Sequence, residues 1–289
     1  MKRLGTYAIL AVGLIALGVG LWKAREDQFD SLVHLPTADA TVASIDVGVL
    51  RTAGLLKVFA GSPQTEEPEY LSFVQSTGFD YQKDLDSVAA AFTKDATYFI
   101  VRGRFDWVRL EAFAKASGGG CYERLCHLPG SVPERRISFL PLRSNVMALA
   151  VSTDDLGAAR LRDTRLQGDV GSSKDPVWVS IPASGLKRAA ETVPGMRLFA
   201  ATVAGADRVT LTLGPKAGGD YAARLEAICS SPKTAQTIAE QLKKVTAALK
   251  STDPLAGVLL TGTFQQSNQK VFGYWPIRKG LFENLAGGL

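Results

Sequence analysis

The chain contains one pattern twice, as VASIDVGVLRTA at residues 42–53 and as WVSIPASGLKRA at residues 178–189. Each copy begins as a β-rich run and continues as an apolar pattern with helical spacing. The identical positions pair Ser44 with Ser180, Ile45 with Ile181, Leu50 with Leu186, and Ala53 with Ala189. The repeat predicts two related structural units.

The residues that follow each copy predict the rest of its unit. A hairpin is expected over residues 87–103, with its turn at Lys94–Asp95, and a second one over residues 196–214. Asp106 is a plausible N-cap for a helix in the first unit. Ser231–Pro232 is a start signal for a long helix in the second unit.

The order strand, helix, hairpin, helix, strand in the first unit is that of a split βαβ sandwich. The sequence therefore predicts an α+β fold made of two related ferredoxin-like units (βαββαβ-like) with mostly antiparallel sheets. Residues 41–162 form the first unit and residues 176–289 the second. The polar, Gly- and Ser-bearing residues 163–175 form the linker between them.

The first 25 residues predict a transmembrane anchor ahead of these units. Residues 4–22 are uncharged, and as a helix they would be about 28 Å long, enough to cross the hydrocarbon core. A cleaved signal peptide is the alternative, because such peptides also begin with basic residues before an apolar run. Residues 26–40 are polar and contain Pro36, which favours a tether. The flanking charges slightly favour a cytoplasmic N-terminus with the body outside.

The charge balance argues against nucleic acid as a partner. The chain has 33 basic and 28 acidic residues, a net charge of +5. Four of the basic residues flank the apolar segment, which leaves 29 basic against 28 acidic residues in the remainder. A phosphate-binding face needs clustered, unneutralised Lys and Arg.

The segment GGGCYERLCH at residues 118–127 holds two of the three cysteines. Outside the cytoplasm, Cys121 and Cys126 are expected to form a disulfide that closes a small surface loop. The alternative is a c-type haem bound through both cysteines with His127 as axial ligand, although the usual spacing there is two residues. A zinc site is a weaker possibility. Cys229 is expected in the core.

Hydrolase and metal motifs are incomplete. Ser184 and Ser230 each begin an S-x-x-K pattern, but the SDN and KTG partners of that site are absent from the sequence. Asp80, Asp84 and Asp86 concentrate negative charge without the spacing of a calcium loop. No catalytic, cofactor-binding or metal-binding residue is therefore predicted.

The chain resembles uncharacterised bacterial envelope proteins that carry one N-terminal membrane anchor and a duplicated α+β ectodomain. The resemblance rests on the anchor, on TGFDYQKDLDSVAAAF and YFIVRGRFD within residues 77–106, and on YAARLEAICSSPKTAQTIAEQL at residues 221–242. It implies an architecture, but it identifies no functional residues.

These observations favour a non-enzymatic protein that binds or scaffolds an envelope protein or ligand outside the cytoplasm. It would be a single-pass protein of the cytoplasmic membrane, with its body in the periplasm or extracellular space and with no cofactor. Two alternatives stay open. One is an electron-transfer protein that holds haem through Cys121, Cys126 and His127, and the other is an envelope serine hydrolase.

Overall fold

The computed structural model describes residues 30–56, 68–162, 170, 173–192, 196–216, 218–248 and 260–280. The predicted anchor at residues 1–25 lies outside these residues, as does most of the predicted linker. Within the described ranges, none of the helices combines the length and the apolar character needed to cross a membrane. Residues 30–40 were predicted as part of a tether, but Leu35 and Ala40 are fully buried against the sheet.

Twelve β-strands are present in the described residues, and they form one sheet. The strands are β1 (Thr41–Asp46), β2 (Leu85–Phe92), β3 (Thr97–Gly103), β4 (Gly120–Tyr122), β5 (Leu125–Pro129), β6 (Arg136–Arg143), β7 (Val146–Ser152), β8 (Val177–Pro182), β9 (Ala206–Pro215), β10 (Tyr221–Cys229), β11 (Thr263–Ser267) and β12 (Lys270–Ile277). Their order across the sheet is β11-β12-β10-β9-β8-β1-β2-β3-β7-β6-β5-β4.

The described helices connect these strands. They are α1 (Val47–Thr52), α2 (Pro68–Thr77), α3 (Tyr81–Asp84), α4 (Trp107–Ala116), α5 (Ala183–Thr192), α6 (Met196–Thr202) and α7 (Pro232–Ala248). Two short 3-10 helices, Ser31–His34 and Gly157–Arg162, lie near the ends of the first unit.

The structure confirms an α+β fold with antiparallel strands, but the ferredoxin-like arrangement is wrong. In a split βαβ unit, a third strand lies between the two strands that the first helix connects, whereas here β1 and β2 are direct neighbours and β2 pairs in turn with β3. The order of strands and helices along the sequence fits both arrangements. Which strands become neighbours depends on packing between distant segments.

The sequence repeat corresponds to a local two-fold arrangement at the centre of the sheet. Positions 136 residues apart, such as 44 and 180, are equivalent in the two copies. β1 pairs with β8 so that Val42 lies opposite Ser180 and Ser44 lies opposite Trp178. Equivalent positions are thus exchanged across the pair, as a two-fold axis perpendicular to the sheet requires. The helices after the two strands also start at equivalent positions, Val47 and Ala183.

Both units carry a long helix on the same face of the sheet. In the first unit, α4 contributes Leu110 and Ala114 to a cluster with Phe139 and Met147. In the second unit, α7 packs its buried stripe, including Ile238, on β9, β10 and β12. The opposite face is covered in the first unit by the two 3-10 helices and the residues beside them.

Local predictions about helices are largely confirmed. Asp106 caps α4, with its Oδ1 accepting the Arg109 amide at 3.1 Å, and the Ser231 hydroxyl accepts the Thr234 amide at the start of α7. The hairpin predicted at residues 87–103 is β2–β3. The hairpin predicted at residues 196–214 is wrong, because its first half is helix α6 and its second half, β9, pairs with β8 and β10.

Candidate binding site

A disulfide-closed hairpin at one edge of the sheet is the most distinctive surface feature of the described residues. Strands β4 and β5 pair so that Cys121 lies directly opposite Cys126, and their sulfurs are 2.04 Å apart. The predicted pair of cysteines is therefore at disulfide distance. We call residues Gly120–Pro129 the cystine hairpin.

The turn of the cystine hairpin has an uncommon backbone conformation. Tyr122 pairs with Leu125, which leaves a two-residue loop made of Glu123 and Arg124. Both loop residues have positive φ angles, 46° and 67°. Two-residue loops with this geometry usually contain Asn and Gly, because side chains with a Cβ are disfavoured in the left-handed region. The chain places two large charged residues there, and such conformations are often found at functional sites.

The base of the hairpin is fixed to the body of the first unit. Cys126 is fully buried, in the cluster that contains Leu110 and Phe139. The amide of Gly119 donates to the Ala114 carbonyl at 3.0 Å, and a Cβ at Gly119 would collide with the His127 carbonyl group. The close approach of these two backbones explains the glycine and fixes the position of the hairpin relative to α4.

The tip of the hairpin presents three neighbouring side chains to solvent. Tyr122 is 77% exposed, and Glu123 and Arg124 are also exposed. Tyr and Arg are among the residues most enriched at the energetic centres of protein interfaces. In the second unit, the described strands after α7 are β11 and β12, and the described residues there include no disulfide-closed hairpin. These three residues were not predicted from the sequence, although their position between two cysteines was a usable signal.

The three groups that a c-type haem would use do not converge. Cys121 and Cys126 lie on one face of the hairpin, and their sulfurs are joined to each other. His127 is the next residue on β5, and neighbouring strand residues point to opposite faces. Its Nδ1 lies 3.8 Å from Asp155 Oδ1, which is also 3.6 Å from Arg136 Nε.

The two candidate serines have other contacts. The Ser184 hydroxyl donates to Asp39 Oδ1 at 2.6 Å. Lys187, its partner in the S-x-x-K pattern, lines a mostly apolar cavity of about 360 Å³ between α5 and α6. Ser230 precedes the cap of α7, and its carbonyl accepts the Gln269 side chain at 3.4 Å.

The predicted aspartate cluster is part of a helix cap. The Asp80 carboxylate accepts the Gln82 amide at the start of α3, and Asp84 accepts the Asp80 amide at 2.9 Å. In the described part of the chain, no group of three or more His, Cys, Asp or Glu side chains could hold a metal ion.

A second cavity, of about 420 Å³, lies where α2 ends and α4 begins. Its two arginines are engaged by the chain itself. Arg104 pairs with Asp84 at 3.1 Å, and Arg109 donates to the carbonyls of Gln75 and Ser76 at the end of α2. Arg109 caps the end of α2 and Arg104 neutralises a carboxylate. These arginines therefore hold neighbouring elements together, and the cleft is not explained as an anion site.

Comparison with known proteins gives information about the fold only. No family model matches the sequence, and no curated protein sequence matches it. Crystal form IV of TP0453 is similar to this chain with a TM-score of 0.50 and 10% identity, over 93% of this chain and 98% of that one. Crystal form III of TP0453 has a TM-score of 0.49 and 9% identity, over 91% and 100% of the two chains. At such low identity, the similarity concerns the arrangement of the chain.

Proposed function

We propose that this chain is a membrane-anchored protein that binds or scaffolds an envelope protein outside the cytoplasm and is not an enzyme. The observation that carries the proposal is the cystine hairpin, which presents Tyr122, Glu123 and Arg124 on a base packed into the sheet. Structural disulfides persist mainly in oxidising compartments, which agrees with a body outside the cytoplasm.

The hairpin suits binding because its bound conformation exists before the partner arrives. Ordering a loop on association costs free energy, so a loop that is already ordered binds more tightly for the same contacts. The disulfide, the buried Cys126 and the close contact at Gly119 all restrict the hairpin. Its tip carries one acid and one base, so we expect a partner recognised through the Tyr122 ring and local ion pairs rather than through net charge.

The apolar residues 4–22 supply the second part of the proposal. A helix of this length would hold the folded body close to the membrane surface. A tethered protein encounters membrane-bound partners at a raised effective concentration, so a small recognition element is sufficient. The membrane is thus a partner through the anchor, and the envelope protein is a partner through the hairpin.

Site-specific photocrosslinking in intact cells tests the proposal. A photoreactive phenylalanine analogue at Tyr122 should give a discrete protein adduct. The same analogue at Leu198, an exposed residue of α6, is the control and should not give this adduct. The double variant Cys121→Ala, Cys126→Ala should reduce the Tyr122 adduct while the protein remains folded.

Three outcomes would contradict the proposal. The first is a Tyr122 adduct that is absent, or that is unchanged when both cysteines are replaced. The second is a Soret absorbance band, after expression with cytochrome maturation enzymes, that Cys121→Ser removes. The third is labelling of Ser184 or Ser230 by a serine-directed probe, which would favour a hydrolase.

A further inference from the structure

The two edges of the twelve-stranded sheet differ in their capacity to pair with another chain. One edge is β4, which has three residues and is the first strand of the cystine hairpin. The other edge is β11, which has five residues and a regular register with β12. In the part of the chain that the structure describes, no strand lies beyond β11.

β11 lacks the features that usually protect an edge strand. Its sequence, TFQQS, contains no charge and no proline, and no bulge interrupts its pairing. Natural edges are commonly protected by lysine, proline, bulges or short length, because their free N–H and C=O groups attract other strands. Phe264 is buried under α7, whereas the other four side chains are exposed. The strand is thus fixed to the body, and its outer edge is unpaired among the described residues.

We propose that β11 pairs with β11 of a second copy of this chain, antiparallel, about a two-fold axis at Gln265. In this register, Gln265 lies opposite Gln265 of the second copy, and Thr263 lies opposite Ser267 of the second copy. All five residues of the strand then take part. Thr–Ser and Gln–Gln pairs can hydrogen bond across strands, and no like charges oppose each other.

The internal structure of the chain favours a second copy over an unrelated partner. Its two units already join by antiparallel pairing of β1 with β8 about a local two-fold axis, with four residue pairs. The proposed contact has the same geometry with five pairs and keeps α7 of both copies on one face. Because the β4 edge is short, association through β11 ends at a closed dimer rather than a fibre.

Cysteine crosslinking of the full-length chain in detergent tests the register. Gln265→Cys should form an intermolecular disulfide with an oxidant, because directly opposite residues have Cβ atoms about 4.5–5.5 Å apart. Gln266→Cys is the matched control, since the two copies of residue 266 are diagonal neighbours, about 7–8 Å apart. The native cysteines interfere little, because Cys121 and Cys126 are paired and Cys229 is buried.

A charge variant tests the dimer itself by sedimentation. Gln265→Lys should weaken dimerisation by roughly tenfold or more, because two lysines would face each other at the axis. Gln265→Thr keeps a neutral residue that suits a strand, and should remain dimeric. Circular dichroism checks that both variants are folded.

The proposal is independent of the cystine hairpin. A monomeric unmodified chain at its highest soluble concentration would overturn it. A dimer that survives Gln265→Lys would also do so, since the N-terminal apolar segment or another surface would then hold the copies together. Equal crosslinking of Gln266→Cys would overturn the register.

Discussion

Ala43 and Val179 occupy the same position in the two sequence repeats, and they lie directly opposite each other where β1 meets β8. The local two-fold axis of the sheet therefore passes between them. The two units share this central pair of strands, and the core cluster of the first unit includes Trp178 from the second. The repeat is thus a feature of one continuous sheet.

The pairing of Ala43 with Val179 predicts an engineered crosslink. The double variant Ala43→Cys, Val179→Cys should form an intramolecular disulfide on mild oxidation, which mass spectrometry of peptides can detect. Ala43→Cys combined with Ser180→Cys should not, because Ser180 points to the opposite face of the sheet. The opposite result would contradict the register.

Gly185 differs from the equivalent residue in the first copy of the repeat, and this position should not accept a side chain. A Cβ there would collide with the Thr41 hydroxyl group and approach Ile181 Cγ2 to 3.1 Å. We expect Gly185→Ala to lower the free energy of unfolding by about 1–3 kcal/mol. Denaturant titration measures the change.

Gly48 is the matched control for this substitution, because it is also near the start of a helix. A Cβ at Gly48 would meet Asp46 Oδ1 at 3.4 Å, an ordinary contact. Gly48→Ala should therefore be neutral or stabilise the fold by up to about 1 kcal/mol. A loss as large as that of Gly185→Ala would show that the contact at Thr41 is not the cause.

Loss of the disulfide should destabilise the fold only modestly. Cys121 and Cys126 are five residues apart, and closing so short a loop stabilises a protein by about 2 kcal/mol in the chain-entropy model. The double alanine variant should lose about this amount and remain folded. A reducing agent should destabilise the unmodified chain but leave the stability of the double variant unchanged. Complete unfolding on reduction would mean that the hairpin has a larger structural role.

Tyr70 should make stability fall at alkaline pH. Its hydroxyl donates to Asp80 Oδ1 at 3.2 Å, and burial together with the Asp80 carboxylate raises the pKa of Tyr70 from 10.0 to about 12. Because the pKa is higher in the folded state, the protonated Tyr70 stabilises the fold fully at pH values below its ordinary pKa. This contribution is lost as the pH rises from 10.0 towards about 12. Tyr70→Phe should cost about 1 kcal/mol at neutral pH and reduce the alkaline loss. Denaturant titrations across this range test it.

The same contact affects Asp80 in acid. Burial acts to raise the pKa of Asp80, but hydrogen bonds from Lys83, the Gln82 amide and Tyr70 outweigh burial and lower it. Because the pKa of Asp80 is lower in the folded state, its carboxylate stabilises the fold at pH values above its ordinary pKa. This contribution is lost as the pH falls below that ordinary pKa. Tyr122→Phe is the control, because Tyr122 is exposed, and it should change neither the alkaline nor the acid limb.

The predicted location can be tested with a reporter fused to the C-terminus. We expect a reporter enzyme that is active only outside the cytoplasm to be active in this fusion, because the charges around residues 4–22 slightly favour a cytoplasmic N-terminus. A second fusion, to an enzyme that is active only in the cytoplasm, is the control. Activity of the second fusion alone would reverse the proposed orientation and remove the basis for an oxidised hairpin.

Local features were predictable because neighbouring residues decide them. The caps at Asp106 and Ser231 depend on a side-chain oxygen and an amide a few residues away. Apolar side chains alternate along Tyr221–Cys229, so both the strand β10 and the burial of Cys229 follow from a local pattern. The cysteine pair was found because its two residues are close in sequence. The positive φ angles of Glu123 and Arg124 were not, since they depend on how the two strands pair.

The sequence by itself determined that this chain is α+β, that it contains a repeat, and where several of its strands and four of its helices, α1, α4, α5 and α7, lie. Only the tertiary structure decided that both units share one sheet in which β1 pairs with β8, that Met196–Thr202 is helical, and that His127 faces away from the disulfide. The physical reason is the distance along the sequence between the residues that interact. Helix caps and alternation act over a few residues, whereas the choice between strand partners depends on contacts such as Ala43 with Val179, which join residues far apart in the chain.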